Sequence, residues 1–184
     1  MLVVIAGTSG AGKGAIVAAL RQRFPELWYS VSATSRPPRP GEIDGRDYFF
    51  MTREAFERLR DEGGLLEWFE VYGELKGTPR LPVTERLDRG EDVLLEVDAQ
   101  GALAVRAAVP DATLVFVRAP SRDEQRRRLT ERPNEEGVDV EARIAAADWE
   151  ESVASEFDVV VVNDDLDRAV EEVAAILRSS HPRD

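Results

Sequence analysis

Leu2-Val-Val-Ile-Ala6 runs directly into Gly7-Thr-Ser-Gly-Ala-Gly-Lys13, and the stretch that follows, Ala15 to Arg23, has helical character. An apolar run, a glycine-rich turn ending in lysine and a helical segment make a strand–loop–helix unit, the context that gives a G-x-x-x-x-G-K spacing its meaning. Glycines let successive backbone N–H groups turn inward around a phosphate, and the helix N-terminus adds positive potential. Lys13 has the reach for the β and γ oxygens of a nucleotide. Gly7, Thr8, Ser9, Gly10, Ala11, Gly12, Lys13 and Gly14 are therefore the candidate donor-phosphate residues.

One position departs from the usual pattern. The residue after the lysine is ordinarily Ser or Thr, whose hydroxyl touches Mg²⁺, and here it is Gly14. Either a water fills the missing place in the metal shell, or the glycine allows closer backbone approach to phosphate. Glu96, ending the apolar run Val93 to Val97, is the candidate metal residue, because folds of this kind keep an acidic group there.

Outward from the loop, short apolar runs alternate with helical patterns. Leu2 to Ala6, Asp92 to Val97, Thr113 to Val117 and Val159 to Val162 are predicted strands buried on both faces. Ala15 to Arg23, Gly101 to Ala108, Ser121 to Arg132, Val140 to Ser155 and Leu166 to Arg178 are predicted helices, with Ser121 and Glu124 in capping-box spacing and Asp164 and Asp165 ahead of the last. The alternation predicts an α/β fold with a parallel sheet flanked by helices. Ser35 to Arg89, with Pro37, Pro38 and Pro40 in a loop and strand-like runs at Asp47 to Met51 and Leu65 to Val71, breaks that rhythm and reads as a small inserted lobe.

At 184 residues, 43% of them hydrophobic, the chain has the material for one domain with one substantial core. The expected division is a core over 1–34, 90–120 and 156–178, an inserted lobe over 35–89, a lid over 121–155 and a tail over 179–184. A net charge of −12 argues against a general nucleic-acid binder, so any anionic ligand must meet local cations. Those are overwhelmingly arginine: Lys13 and Lys76 are the two lysines, and 24 − 2 = 22 basic residues are arginines. The absence of cysteine excludes disulfides and thiolate chemistry, and His181 in the polar tail is a poor catalytic candidate. With no apolar run near the roughly 18 residues of a membrane span, a soluble, cytoplasmic protein is expected, a monomer or homodimer.

The segment Ser30-Val-Ser-Ala-Thr-Ser-Arg36-Pro-Pro-Arg39-Pro-Gly-Glu-Ile-Asp-Gly-Arg-Asp-Tyr48-Phe-Phe is more specific than any phosphate loop. With Leu66-Glu67-Trp68, Gly77-Thr78-Pro79, Leu95-Glu-Val-Asp98-Ala-Gln-Gly101, Ala119-Pro-Ser121 and Val162-Asn163-Asp164-Asp165 in order, the chain resembles the guanylate kinases over nearly its whole length. The resemblance implies a P-loop kinase with a nucleotide-binding core, a GMP-binding lobe and a helical lid. It implies transfer of the γ-phosphoryl group of ATP to GMP, with Mg²⁺, in purine nucleotide metabolism, dGMP being a possible second acceptor. The expected GMP ligands are Arg36, Arg39 and Tyr48 at the phosphate and Glu67, Ser32, Thr78 and Asp98 around guanine. Asn163 resembles the residue at the adenine of ATP, and Arg128, Arg132 and Arg143 match the lid arginines that act with Lys13 in catalysis.

A second departure lies at Lys76, where the family commonly carries tyrosine; it either replaces a phosphate contact by charge or is a surface residue. Two other readings compete. Domains of this kind also occur as inert protein-interaction modules, against which the intact Lys13 loop stands, and the acceptor could be another nucleoside monophosphate, against which Glu67 with Ser32 stands.

Overall fold

The computed structural model describes residues 1–71, 73–131 and 147–179. In chain order the elements are β1 (Leu2–Gly7), α1 (Lys13–Arg23), β2 (Trp28–Tyr29), β3 (Ala33–Thr34), β4 (Phe49–Phe50), α2 (Arg53–Asp61), β5 (Leu65–Val71), β6 (Glu74–Pro79), α3 (Arg80–Asp88), β7 (Val93–Glu96), α4 (Ala99–Ala108), β8 (Thr113–Arg118) and α5 (Arg122–Thr130). A helical stretch over 147–152 (α6), β9 (Val159–Val162) and α7 (Leu166–Ser179) follow.

Five strands form a parallel sheet in the order β2-β7-β1-β8-β9. The inner residues of its central strands are apolar because both faces are covered, with polar residues such as Glu96 and Arg118 confined to strand ends. Along β1 the pleat divides the residues: Leu2, Val4 and Ala6 join one core cluster with Val83, Ala102 and Val105, while Val3 and Ile5 join another with Ile16, Leu20, Val170 and Val173. The same alternation holds in β8, with Leu114 and Phe116 on one side and Val115 and Val117 on the other. A layer containing α3 and α4 thus covers one face, and α1 with α7 covers the opposite one.

Two helix starts follow from side-chain caps. The Ser121 hydroxyl accepts from Glu124 N at 3.1 Å, and the Asp165 carboxylate accepts from Arg168 N at 2.9 Å. Each satisfies a backbone N–H that the helix leaves without a partner, as the spacing predicts.

The inserted segment builds a second, mixed sheet in the order β4-β3-β6-β5, with its own small core of Ala33, Phe56, Leu65 and Leu75. Ala33 and Thr34 pair with Phe49, Phe50, Gly77 and Lys76, so this sheet takes in residues that the sequence pattern assigns to the core. The helices α2 and α3, the strand β6 and the two-residue strands β2 and β3 have no counterpart in the sequence pattern. Such short pairings carry no periodicity, and Pro79 and Pro82 obscure the helical pattern around α3. Among the described residues no helix is long and apolar enough to cross a membrane.

Candidate active site

The site lies at the carboxyl edge of the parallel sheet, where folds of this architecture place ligands. Register brings its parts together: Ile5 of β1 pairs with Glu96 of β7, so the loop after β1 and the acidic end of β7 emerge side by side. The loop turns at once. Gly7 has φ +138°, and a Cβ there would stand 1.9 Å from Val117 O, so only glycine permits the close passage of β1 beside β8. At Gly12, φ is +86° and a Cβ would come within 2.5 Å of Asn163 Nδ2.

Lys13 folds back over this loop and donates from Nζ to Gly7 O at 2.6 Å and Thr8 O at 3.1 Å. Behind the loop, Asn163 is buried and donates from Nδ2 to Ala11 O at 2.8 Å. Arg128 lies on that same outer side, donating to Asn163 O at 2.9 Å, to Ala11 O at 3.4 Å and to Glu124 Oε1 at 2.7 Å. Both side chains predicted to touch ATP therefore brace the loop in this structure. Ser9 O accepts from Gln125 Nε2 at 2.7 Å, a further tie that the sequence reading lacks. Arg132 and Arg143 lie outside the described residues.

In front of the loop opens a cavity of about 400 Å³, lined from both sheets by residues that include Ser9, Lys13, Ser32, Tyr48, Glu67, Lys76, Glu96 and Asp98. Glu67 sits at its inner wall with 4% of its surface exposed. A register shift between Leu65 and Glu67 sets Glu67 opposite Thr78, whose hydroxyl donates to Glu67 Oε1 at 2.6 Å. The other oxygen, Oε2, is buried and has no hydrogen-bond partner among the described residues. Burial pushes the Glu67 carboxyl up to about 7; the Thr78 hydroxyl opposes that shift and the nearby Asp98 charge reinforces it. Asp98 itself caps α4, accepting from Gly101 N at 2.6 Å.

Arg36 does not itself line the cavity; beside the lining residue Tyr48, it is 5% exposed and held by Glu42 through two 2.6 Å bonds. Glu42 also accepts from Arg39 N at 2.7 Å, and these bonds, the Arg36 ones first, draw its carboxyl down to about 2. Arg36 lies 4.9 Å from the Tyr48 ring centre, while Arg39 is exposed on the proline-rich loop. Of the five guanidinium N–H groups of Arg36, Glu42 takes two and Pro37 O one, which leaves two for a ligand.

Among the lining residues that the sequence pattern does not assign to the site, two are titratable groups with shifted pKa values. Tyr29 has its phenol pushed up to about 12, by burial first and then by the Glu96 charge. Glu150, on α6, accepts from Ser9 N at 3.2 Å; burial raises its carboxyl, while Lys13 and the Ser9 bond pull the other way. A carboxylate thus rests on the phosphate loop itself. No local signal could announce this, since 141 positions separate Glu150 from Ser9.

For a divalent cation the donor set is sparse. No cluster of three or more acidic or histidine side chains suited to a metal occurs among the described residues. Glu96 lines the cavity with Lys13, and a Cβ at Gly14 would lie 3.9 Å from Glu96 Oε1, so the position after the lysine and the acidic strand end do converge. Such a place suits an ion that takes most of its oxygen ligands from phosphates and water, as Mg²⁺ does.

Comparison with known proteins agrees with this geometry. The family model described as "Guanylate kinase" matches residues 1–180. The chain is 51% identical over 177 residues to a guanylate kinase of Rubrobacter xylanophilus, covering 96% of this chain and 93% of that one. It is 50% identical over 182 residues to one from Thermus thermophilus, covering 99% and 82%. Among solved structures, the crystal structure of guanylate kinase from Anaplasma phagocytophilum superposes with a TM-score of 0.79 at 30% identity, covering all of this chain and 87% of that one.

Proposed function

This chain belongs to the guanylate kinase family, and from that premise we infer that its cavity joins two nucleotides. It is an ATP-using kinase that phosphorylates GMP, giving ADP and GDP. The observation that carries the acceptor reading is the orphaned Glu67 Oε2. Guanine offers N1–H and a 2-amino group, two donors side by side, and a carboxylate with one oxygen already held by Thr78 is placed to receive them. Adenine offers an acceptor at N1 and no 2-amino group, and would leave that oxygen without a partner. Ser32 and the Asp98 carboxylate complete the polar edge of the base site.

Arg36, Arg39 and Tyr48 would hold the GMP phosphate, with Glu42 fixing the plane of the Arg36 guanidinium. That phosphate is mostly deprotonated near neutral pH, so no general base is required to make the nucleophile. Alignment and neutralisation of charge are what the protein supplies. The backbone N–H groups from Ser9 to Gly14 would cradle the donor phosphates, and Lys13 would carry positive charge to the transferring group. Glu96 would hold Mg²⁺, directly or through water, and the bound ion would supply positive charge to offset that of the phosphates. The cytoplasm, where both nucleotides occur, is the proposed setting.

An ADP-release assay with ATP, Mg²⁺ and a panel of monophosphates tests the scheme. GMP is expected to exceed AMP in kcat/KM by roughly 10⁴-fold, the discrimination typical of a site built on such hydrogen bonds. Comparable values for the two would reject the assignment.

A further inference from the structure

The two lysines of this chain, Lys13 and Lys76, both line the same cavity. In a protein with 36 acidic residues and 22 arginines that coincidence invites a physical reading. Lys76 sits in β6, between Thr34 of β3 and Phe69 of β5, and strand alternation puts it on the same face as Thr78, the partner of Glu67. The neighbouring Leu75 goes to the opposite face, into the small core.

Its ammonium lies 5.4 Å from the centre of the Tyr48 ring, the ring that Arg36 also approaches at 4.9 Å. Two cations converge on one aromatic group, yet their charges are placed differently. Arg36 is balanced by Glu42 through two short bonds. Lys76 makes no hydrogen bond and no ion pair among the described residues.

The rest of the cavity makes this unbalanced charge significant. Five carboxylates line it: Asp47, Glu67, Glu96, Asp98 and Glu150. A dianionic ligand entering such a space is repelled unless a cation stands where its phosphate comes to rest. Lys13 serves the phosphate-loop end. We propose that Lys76 serves the other end, as a direct ligand of the acceptor phosphate beside Arg36 and Tyr48. This rests on the reading of the cavity as the GMP site and adds a residue to it. An ammonium is a compact charge on a flexible stem, able to follow the phosphate without a fixed fork. Lys76 therefore sets affinity for the phosphate group and leaves recognition of the base to Glu67.

The test separates phosphate from base by using two ligands, GMP and guanosine, in calorimetric titrations with Lys76→Met, Lys76→Gln and Lys76→Arg, together with steady-state rates. Lys76→Met keeps the length of the side chain and its contact with Tyr48 while removing the charge. The expected result is a rise on the order of tenfold in the Kd and KM for GMP, the usual scale for one charged hydrogen bond. Guanosine affinity and kcat should stay within about twofold, Lys76→Gln should match Lys76→Met, and Lys76→Arg should recover most of the loss. Unchanged GMP affinity in both neutral variants overturns the proposal, and so does an equal loss for GMP and guanosine, which would mark a structural role. The parent reading is judged separately by the wild-type protein, which must bind guanosine more tightly than adenosine.

Discussion

Glu67→Gln should make the ligand-free protein more stable as pH rises, while removing its selectivity for GMP. In the fold, burial holds the Glu67 carboxyl near 7, against an ordinary value of 4.5. Between those two pH values the folded chain keeps a proton that the unfolded chain has released, so stability falls as pH rises through this window, and the penalty is complete above pH 7. The gap between 4.5 and about 7, at about 1.4 kcal/mol for each step of one in pKa, amounts to about 3 kcal/mol at pH 8 and close to nothing at pH 4.5. Glutamine cannot ionise and carries no such penalty. Its amide has a cost of its own, since Oε2 has no partner and an N–H₂ there would need one, but that cost does not change with pH. The readout is therefore the slope: the stability of the variant minus that of wild type, from urea melts at pH 5 to 8, should climb by about 2.5 kcal/mol. Function supplies a second arm. Guanine donors favour the ionised carboxylate, so guanosine should bind roughly tenfold more weakly at pH 6 than at pH 8 to wild type and show no such trend with the variant. Guanosine is the ligand of choice because the GMP phosphate titrates near pH 6 itself. A stability difference that stays flat across this range would refute the desolvated carboxylate, and with it the electrostatic basis of guanine recognition by Glu67.

Two further perturbations probe the donor side. Glu150→Gln removes a negative charge that rests on Ser9 N, so ATP affinity measured calorimetrically without acceptor should rise several-fold; a fall would mean that Glu150 supports the loop. Gly14→Ser should lower the Mg²⁺ concentration for half-maximal rate and Glu96→Gln should raise it, whereas a loss of ATP affinity in Gly14→Ser would show that the glycine is there for close approach to phosphate.

The parallel sheet was legible because burial on both faces leaves a plain record in the sequence. A strand that must satisfy two cores, as β1 does with Leu2, Val4 and Ala6 against Val3 and Ile5, can hold no polar residue, and the run is visible without any partner being known. The small sheet left a partial record: β4 falls within the predicted run Asp47 to Met51 and β5 matches Leu65 to Val71, but β3 is two residues long, and β6 includes Lys76 and Gly77, where a Cβ would stand 2.6 Å from the Glu67 carbonyl oxygen. Those two residues answer to the cavity and to neighbouring backbone rather than to strand periodicity.

The site divides along a similar line. Residues grouped in one loop, such as Gly7 to Lys13, can be identified from their spacing, because the chain itself enforces their proximity, whereas Arg36 to Tyr48 is identified through the resemblance to the family. What spacing cannot give is the partner each side chain takes. Arg128 and Asn163 are expected at the donor nucleotide from the family resemblance, and the structure sets both against Ala11 O of the loop. Glu150 was invisible, since nothing near it in the chain marks a carboxylate that reaches Ser9. The charge state of Glu67 is the strongest instance. Its identity and place were readable, but a carboxyl near 7 results from burial first, with the Thr78 hydroxyl opposing the rise and a second carboxylate at the start of α4 reinforcing it, a balance struck between separate elements. The same glutamate on an exposed strand would be ionised at every physiological pH, would bind guanine against competition from water, and would give the protein little reason to prefer one purine over another.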